Sequence, residues 1–139
     1  MTQEEDITRN LTLIEYYKQQ LEALDMQMQM LQSALAEHQS ARLTVDQLQT
    51  NPGKTDILIP TGGGVYINGT LGTTSTMLVN IGSCYLMEKT PTETLAKIDE
   101  HIKRIQDNQE RLYQLATRLQ NEAEELSQKT QQMMEASQK

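Results

Sequence analysis

Apolar residues recur along the first third of the chain at alternating intervals of three and four. Ile7, Ile14, Leu21, Met28 and Leu35 take one position of a seven-residue repeat, and Tyr17, Leu24, Leu31 and Val45 take the other. Asn10, His38 and Arg42 interrupt it. Such spacing draws one narrow apolar stripe along a helix, the seam of a coiled coil. The last third repeats the pattern more cleanly. Leu95, Ile98, Ile102, Ile105, Leu112, Ala116, Leu119, Ala123, Leu126 and Met133 hold ten of twelve successive seam sites, with Gln109 and Thr130 as exceptions. Thr90-Pro91-Thr92-Glu93 predicts the start of this helix, with Thr90 as N-cap, Pro91 at the first helical position and Glu93 closing a capping box.

Between these stretches the period changes. Ile57-Leu58-Ile59, Val65-Tyr66-Ile67, Met77-Leu78-Val79 and Cys84-Tyr85-Leu86-Met87 are short apolar or β-branched runs, the mark of strands. Thr61-Gly62-Gly63-Gly64, Gly72-Thr73-Thr74-Ser75 and Gly82 punctuate them, so two hairpins are expected. Asn68-Gly69 signals a turn by itself, or a bulge inside a longer second strand. The runs, with Ile81, are apolar on nearly every residue, so both faces of each hairpin want cover. Two hairpins cannot supply that cover alone, and isolated hairpins are marginal in water. Ile57, Leu58, Ile59, Val65, Tyr66, Ile67, Met77, Leu78, Val79, Ile81, Tyr85 and Met87 are therefore the expected oligomer-assembly residues.

Residue types divide the chain the same way. All seven glycines lie between Gly53 and Gly82, the prolines are Pro52, Pro60 and Pro91, and all seventeen glutamines fall outside residues 50–105. Glycine and proline break helices where glutamine propagates them. The expected organisation is a coiled-coil helix over 1–50, two hairpins over 51–90 and a second coiled-coil helix over 91–139, within one structural domain. Helices of that length run to roughly 65–70 Å, and a connection of about 40 residues taken up by two hairpins is too short to return the chain to parallel register. Antiparallel pairing follows, with Ile7 near Met133, Val45 near Leu95 and both termini at one tip. The fold class is mainly α with a small β segment: an antiparallel two-helix coiled coil joined by two β-hairpins that form an oligomeric β-barrel.

Composition agrees. Phe and Trp are absent and mean hydropathy is −0.60, which suits a helix needing one apolar stripe better than a globule filled by aromatic side chains. Nineteen acidic and twelve basic residues leave a net charge of −7. Without clustered Lys and Arg there is no counterion release to draw nucleic acid, and an anionic membrane is equally unattractive. Cys84 is the only cysteine, so no disulfide within one chain is possible and a reducing compartment fits. The acidic start, Thr2 to Asp6, is unlike a signal peptide, and no apolar run approaches the ~20 residues of a membrane span. A cytosolic location is expected, with the sequons at Asn10 and Asn68 unused.

Catalysis finds no support. Gly62-Gly63-Gly64 precedes a strand rather than a helix opened by Gly-Lys-Ser/Thr, so it is a turn and not a phosphate cradle. His38 and His101 have no His or Cys partner at metal-ligand spacing. Cys84, placed in an apolar strand, reads as a small buried hydrophobe. Glu122, Glu124 and Glu125 lie on one solvated helical stretch. No enzyme activity, cofactor or metal is expected. Met26, Met28 and Met30 surround the first seam, and Met133 and Met134 lie near the second helix's end, where an adaptable apolar surface is the functional alternative to plain packing.

The order of helix, Ile57-Leu58-Ile59-Pro60, Gly-rich turn, Val65-Tyr66-Ile67, Val79-Asn80-Ile81-Gly82-Ser83-Cys84-Tyr85 and Met87-Glu88-Lys89-Thr90 resembles prefoldin over essentially the whole chain. It is similar to the alpha class, whose helices are joined by two hairpins where the beta class has one. The resemblance implies a molecular chaperone subunit, an ATP-independent holdase. It implies a heterohexamer of two alpha-class with four beta-class prefoldin subunits, whose hairpins form β-barrels and whose coiled-coil tips bind unfolded client proteins and deliver them to a group II chaperonin. By position, Ile7, Leu11, Ile14, Leu126, Met133 and Met134 are the unfolded-protein-binding residues. Two other readings use the same elements: a self-assembling, filament-forming alpha-like structural protein, and a generic coiled-coil adaptor for folded partners.

Overall fold

Helix α1 (Gln3–Thr50) and helix α2 (Pro91–Ser137) flank four strands, β1 (Thr55–Gly62), β2 (Val65–Leu71), β3 (Met77–Gly82) and β4 (Tyr85–Lys89). The computed structural model describes residues 2–50, 53 and 55–138; Pro52, the expected breaker after the first helix, lies outside them. The chain is mainly helical with a small β part, as its periodicities predict.

Both helix starts are built from local chemistry. At α2, Glu93 N–H donates to Thr90 Oγ1 at 3.2 Å and Thr94 N–H to the Thr90 carbonyl at 2.9 Å, so Thr90 is the N-cap that its motif predicts. At α1, Glu5 N–H donates to Thr2 Oγ1 and Thr2 N–H to Glu5 Oε2, both at 3.3 Å. Thr2-Gln3-Glu4-Glu5 is thus a closed capping box, and Glu4, Glu5 and Asp6 place negative charge at the helix's positive end.

Contacts divide the chain into two units, Met1–Leu35 with Ile105–Lys139, and Ala36–Arg104. In the first, the helices run antiparallel. Gln3 Nε2 donates to the Met133 carbonyl at 3.2 Å, Tyr17 meets Glu122, and Gln109 Nε2 donates to Gln32 Oε1 at 3.1 Å. The side chains withdrawn from solvent are those of the heptad sites, with Leu24 and Leu35 8% exposed and Thr130 2%. Polar residues on the seam are accommodated by pairing. Asn10 Nδ2 reaches Met133 Sδ at 3.8 Å, and the Thr130 hydroxyl bonds the Leu126 carbonyl at 2.7 Å. That bond lets Thr130 fill the seam with its methyl group at no cost in unsatisfied polarity.

In the second unit the helix segments are also antiparallel. Gln49 Nε2 donates to Thr92 Oγ1 at 3.2 Å, and the rings of His38 and His101 stack with centroids 5.4 Å apart. Arg42, which interrupts the repeat, stays exposed and donates from Nε to Asp99 Oδ1 at 2.6 Å. Leu48, not a heptad site, is half-buried beyond it.

The strands form two separate antiparallel sheets, β1 with β2 and β3 with β4. The hairpins share one design. Each has a register shift just before a glycine, at Pro60/Gly62 and at Asn80/Gly82, and that glycine pairs across a two-residue turn with Val65 or Tyr85. The turn residues, Gly63 and Gly64 in one and Ser83 and Cys84 in the other, all have positive φ, the left-handed backbone that a tight two-residue hairpin demands. Two expectations are corrected here. Cys84 lies in this turn and is exposed rather than in a buried strand, so the fourth strand begins at Tyr85. Asn68-Gly69 is neither turn nor bulge. The pair continues β2 opposite Leu58 and Ile57, and a Cβ on Gly69 would stand 3.1 Å from Ile59 Cδ1, so glycine is there to seat that isoleucine.

Because the seam is the helices' main apolar contact, we expect Leu24→Ala to destabilise the folded chain by about 2–3 kcal/mol. Met26→Ala, at a side chain 68% exposed, should stay within about 0.5 kcal/mol. Thermal or denaturant melts check this, and comparable losses at both positions would contradict the seam.

Candidate functional site

The hairpins leave many large apolar side chains uncovered. Register puts Ile59 opposite Ile67 and Leu58 opposite Asn68, so successive residues alternate faces. Ile59 and Ile67 are exposed on one face of the first hairpin, Leu58 and Tyr66 on the other. In the second hairpin Leu78, Leu86 and Met87 are exposed, while Val79 and Met77 are half-buried. Among the residues expected to mediate assembly, Val65, Ile81 and Tyr85 are likewise exposed, and Ile57 is half-buried. Large side chains on both faces of two-stranded sheets are the opposite of what a self-sufficient hairpin shows.

At the chain ends the six residues singled out by position divide in two. Ile7, Ile14, Leu126 and Met133 are half-buried in the seam, whereas Leu11 and Met134 are exposed. The former hold the helices together and the latter are open to a partner. Tyr16, next to the seam residue Tyr17 and stacking obliquely on it at 6.2 Å, adds exposed ring surface that heptad counting passes over. Tyr17 has its hydroxyl pKa raised by partial desolvation and by the neighbouring Glu122 carboxylate. A shallow groove of about 400 Å³ beside Met30, Leu31, Ala34, Arg111 and Leu112 is another half-apolar surface.

The histidines meet across the helices, although neither has a His or Cys partner at metal-ligand spacing along the sequence. They lie 63 positions apart in sequence, and only antiparallel pairing brings them together. Burial and the adjacent His38, then Lys97 and Arg104, hold the His101 imidazole below its ordinary pKa, with Glu100 opposing. Among the described residues no group of three His, Cys, Asp or Glu converges as a metal site, and none of the described helices is long and apolar enough to cross a membrane.

The family model described as Prefoldin subunit matches residues 17–136. The prefoldin subunit alpha of Archaeoglobus fulgidus is 23% identical over 128 residues, covering 92% of this chain and 93% of its own length. That of Thermofilum pendens is 31% identical over 101 residues, 73% of each. The fold is similar to that in the cryo-EM structure of filamentous PFD from Methanocaldococcus jannaschii, with a TM-score of 0.71 and 22% identity over 84% of this chain and 96% of that one.

The depressed His101 pKa has a consequence for stability. The unfolded chain takes up this proton near the ordinary value of 6.5, the folded chain only at lower pH, so in that window the unfolded state binds more protons. The stabilisation is complete above about pH 6.5 and is lost as pH falls toward the folded value. The melting temperature should therefore drop between about pH 7 and pH 5.5, above the usual carboxylate range, and His101→Gln should flatten the slope. An unchanged slope in that variant would show that another group titrates.

Proposed function

The chain belongs to the prefoldin family, in its alpha class, and we propose that it is the alpha-class subunit of an ATP-independent holdase that captures unfolded proteins at the paired ends of its helices and delivers them to a group II chaperonin. Membership makes it a chaperone subunit, one that assembles with other prefoldin subunits. The finer reading places two such chains with four beta-class subunits in the cytosol, joined through their hairpins into β-barrels. The observation that carries it is the double-sided exposure of Leu58 and Tyr66 against Ile59 and Ile67 on the first hairpin, and of Leu78 and Leu86 against Met87 on the second. Burying such side chains stabilises by about 1.5–3 kcal/mol each, and within one chain they remain in water. Neighbouring hairpins offer both apolar surface and strand edges to close them.

Client capture follows from a different surface. A holdase without a nucleotide cycle needs open apolar side chains that bind weakly and release, and several arms in one assembly add through effective concentration. Leu11 and Met134 are open in this sense; Ile7, Ile14, Leu126 and Met133 support them from the seam and contribute where the ends fray. A second reading rests on the same hairpins: the filamentous PFD of Methanocaldococcus jannaschii has a similar fold, and open-ended hairpin pairing of this chain with itself would make a filament. Native mass decides between them, since a holdase subunit closes into a defined complex with a beta-class chain and a filament former polymerises alone.

Two variants separate the two surfaces. Leu58→Asp with Leu78→Asp sets charges where assembly removes water, so native mass should fall while helical circular dichroism is kept; an unchanged oligomer would remove the hairpins from the interface. Leu11→Ser with Met134→Ser should leave assembly intact and weaken suppression of client aggregation, measured by light scattering of a diluted unfolded protein. Full protection across a titration would send the search for the client surface elsewhere.

A further inference from the structure

The charge of this chain is unevenly placed. Residues 1–35 and 105–139 hold twelve acidic and six basic residues, whereas residues 36–104 hold seven and six. Nearly all of the net charge of −7 thus belongs to the unit that carries the chain ends. Along the first turns of α1, that charge borders open apolar surface. Two adjoining shallow grooves share Thr8, one lined by Glu4, Glu5 and Arg9 and the other by Leu11, Glu15 and Tyr16. Leu11 is 49% exposed and Tyr16 52%.

The polar residues between them are already occupied. The Thr8 hydroxyl donates to the Glu4 carbonyl and the Thr12 hydroxyl to the Thr8 carbonyl, each at 3.0 Å. What these threonines offer a partner is their methyl groups. Arg9, the one cation lining the grooves, has Asp6 beside it at 3.4 Å, so its charge is offset only in part. The strip therefore shows a partner two large apolar side chains and two methyls, framed by the carboxylates of Glu4, Glu5 and Glu15. The groove beside Met30 and Leu31 is lined by Arg111 and by no carboxylate.

We infer that the α1 strip selects cationic unfolded segments, extended chain in which Lys or Arg alternates with apolar residues. This rests on the holdase reading and names its client class. Apolar contact supplies binding that any unfolded chain can share. The carboxylates supply discrimination, since a basic segment gains complementary pairs and an acidic one meets like charge. The net charge of the surrounding unit extends the same bias to encounter, as a field that draws cations and repels anions.

The experiment uses the full-length chain and two dye-labelled unstructured peptides with identical apolar residues, one carrying Lys where the other carries Glu, followed by fluorescence anisotropy. The Lys peptide should bind about 10-fold tighter at low salt, and the gap should shrink to about 2-fold or less at ~0.5 M salt, where the screening length is a few Å. Glu4→Gln, Glu5→Gln and Glu15→Gln together should remove most of the gap, Gln at position 5 keeping the capping acceptor. Asp107→Asn, Glu124→Gln and Glu125→Gln, the same charge change on α2, should remove much less. Leu11→Ser with Tyr16→Ser should weaken both peptides alike. Equal binding of the two peptides, or equal loss of preference in the two charge variants, overturns the selectivity of the strip and leaves the holdase intact. Binding of neither peptide overturns the holdase reading itself. Circular dichroism on every variant separates these outcomes from misfolding.

Discussion

A pair of helices has one line of contact, and every residue on that line must be apolar or carry its own partner. Much else in this chain follows from that constraint. The apolar positions satisfy it by burial, most fully at Leu24 and Leu35. The polar positions satisfy it one by one: Asn10 against the Met133 sulfur, Gln109 with Gln32, Thr130 on its own helix, and His38 on His101. None of these contacts is strong. A neutral hydrogen bond contributes about 1 kcal/mol net, and the exposed Arg42–Asp99 pair less. Their value is selectivity, because sliding one helix past the other would leave each polar group facing a leucine or isoleucine.

The same accounting fails in the hairpins, and its failure is informative. Apolar residues in the helices are placed so that one chain covers them, while those in the strands are placed so that one chain does not. Leu58 and Ile59 are adjacent and face opposite ways, and both are exposed. In the proposed assembly other chains complete such a structure, and folding and assembly become parts of one process. Each glycine before the turn, Gly62 and Gly82, lies at positive φ, where the ladder shifts register and the strand ends.

Most of the fold could be read from residue spacing, because heptads and strand periods are local and strongly patterned. The seam was legible residue by residue, as was the N-cap at Thr90. What escaped was decided by contacts between distant residues or by backbone that side-chain type signals weakly. Ser83 and Cys84 are not residues that favour left-handed backbone, so the second turn was placed at Gly82 but its extent through Cys84 was hidden; the match of Gly62-Gly63-Gly64 with Gly82-Ser83-Cys84 was the available clue. Asn68-Gly69 gave a false turn signal, since the glycine answers to Ile59 across the sheet rather than to its own backbone. The histidine contact needed the helix register, which no local pattern contains. At the chain ends the reading by position named the exposed Leu11 and Met134 alongside seam residues but passed over Tyr16, because exposure is decided outside the repeat.

The register has a consequence for how such a chain changes over generations. In each pair across the helices, Gln3 with Met133, Gln32 with Gln109, His38 with His101, Arg42 with Asp99 and Gln49 with Thr92, the two residue numbers add to about 140. A short insertion in one helix would shift every pair beyond it, turning the stripe aside and parting its polar partners. Only gains or losses of whole heptads, matched on both helices, preserve the rule. The lineage can lengthen or shorten its arms only in doubled steps, so arm length should vary far less freely than the polar faces that line it.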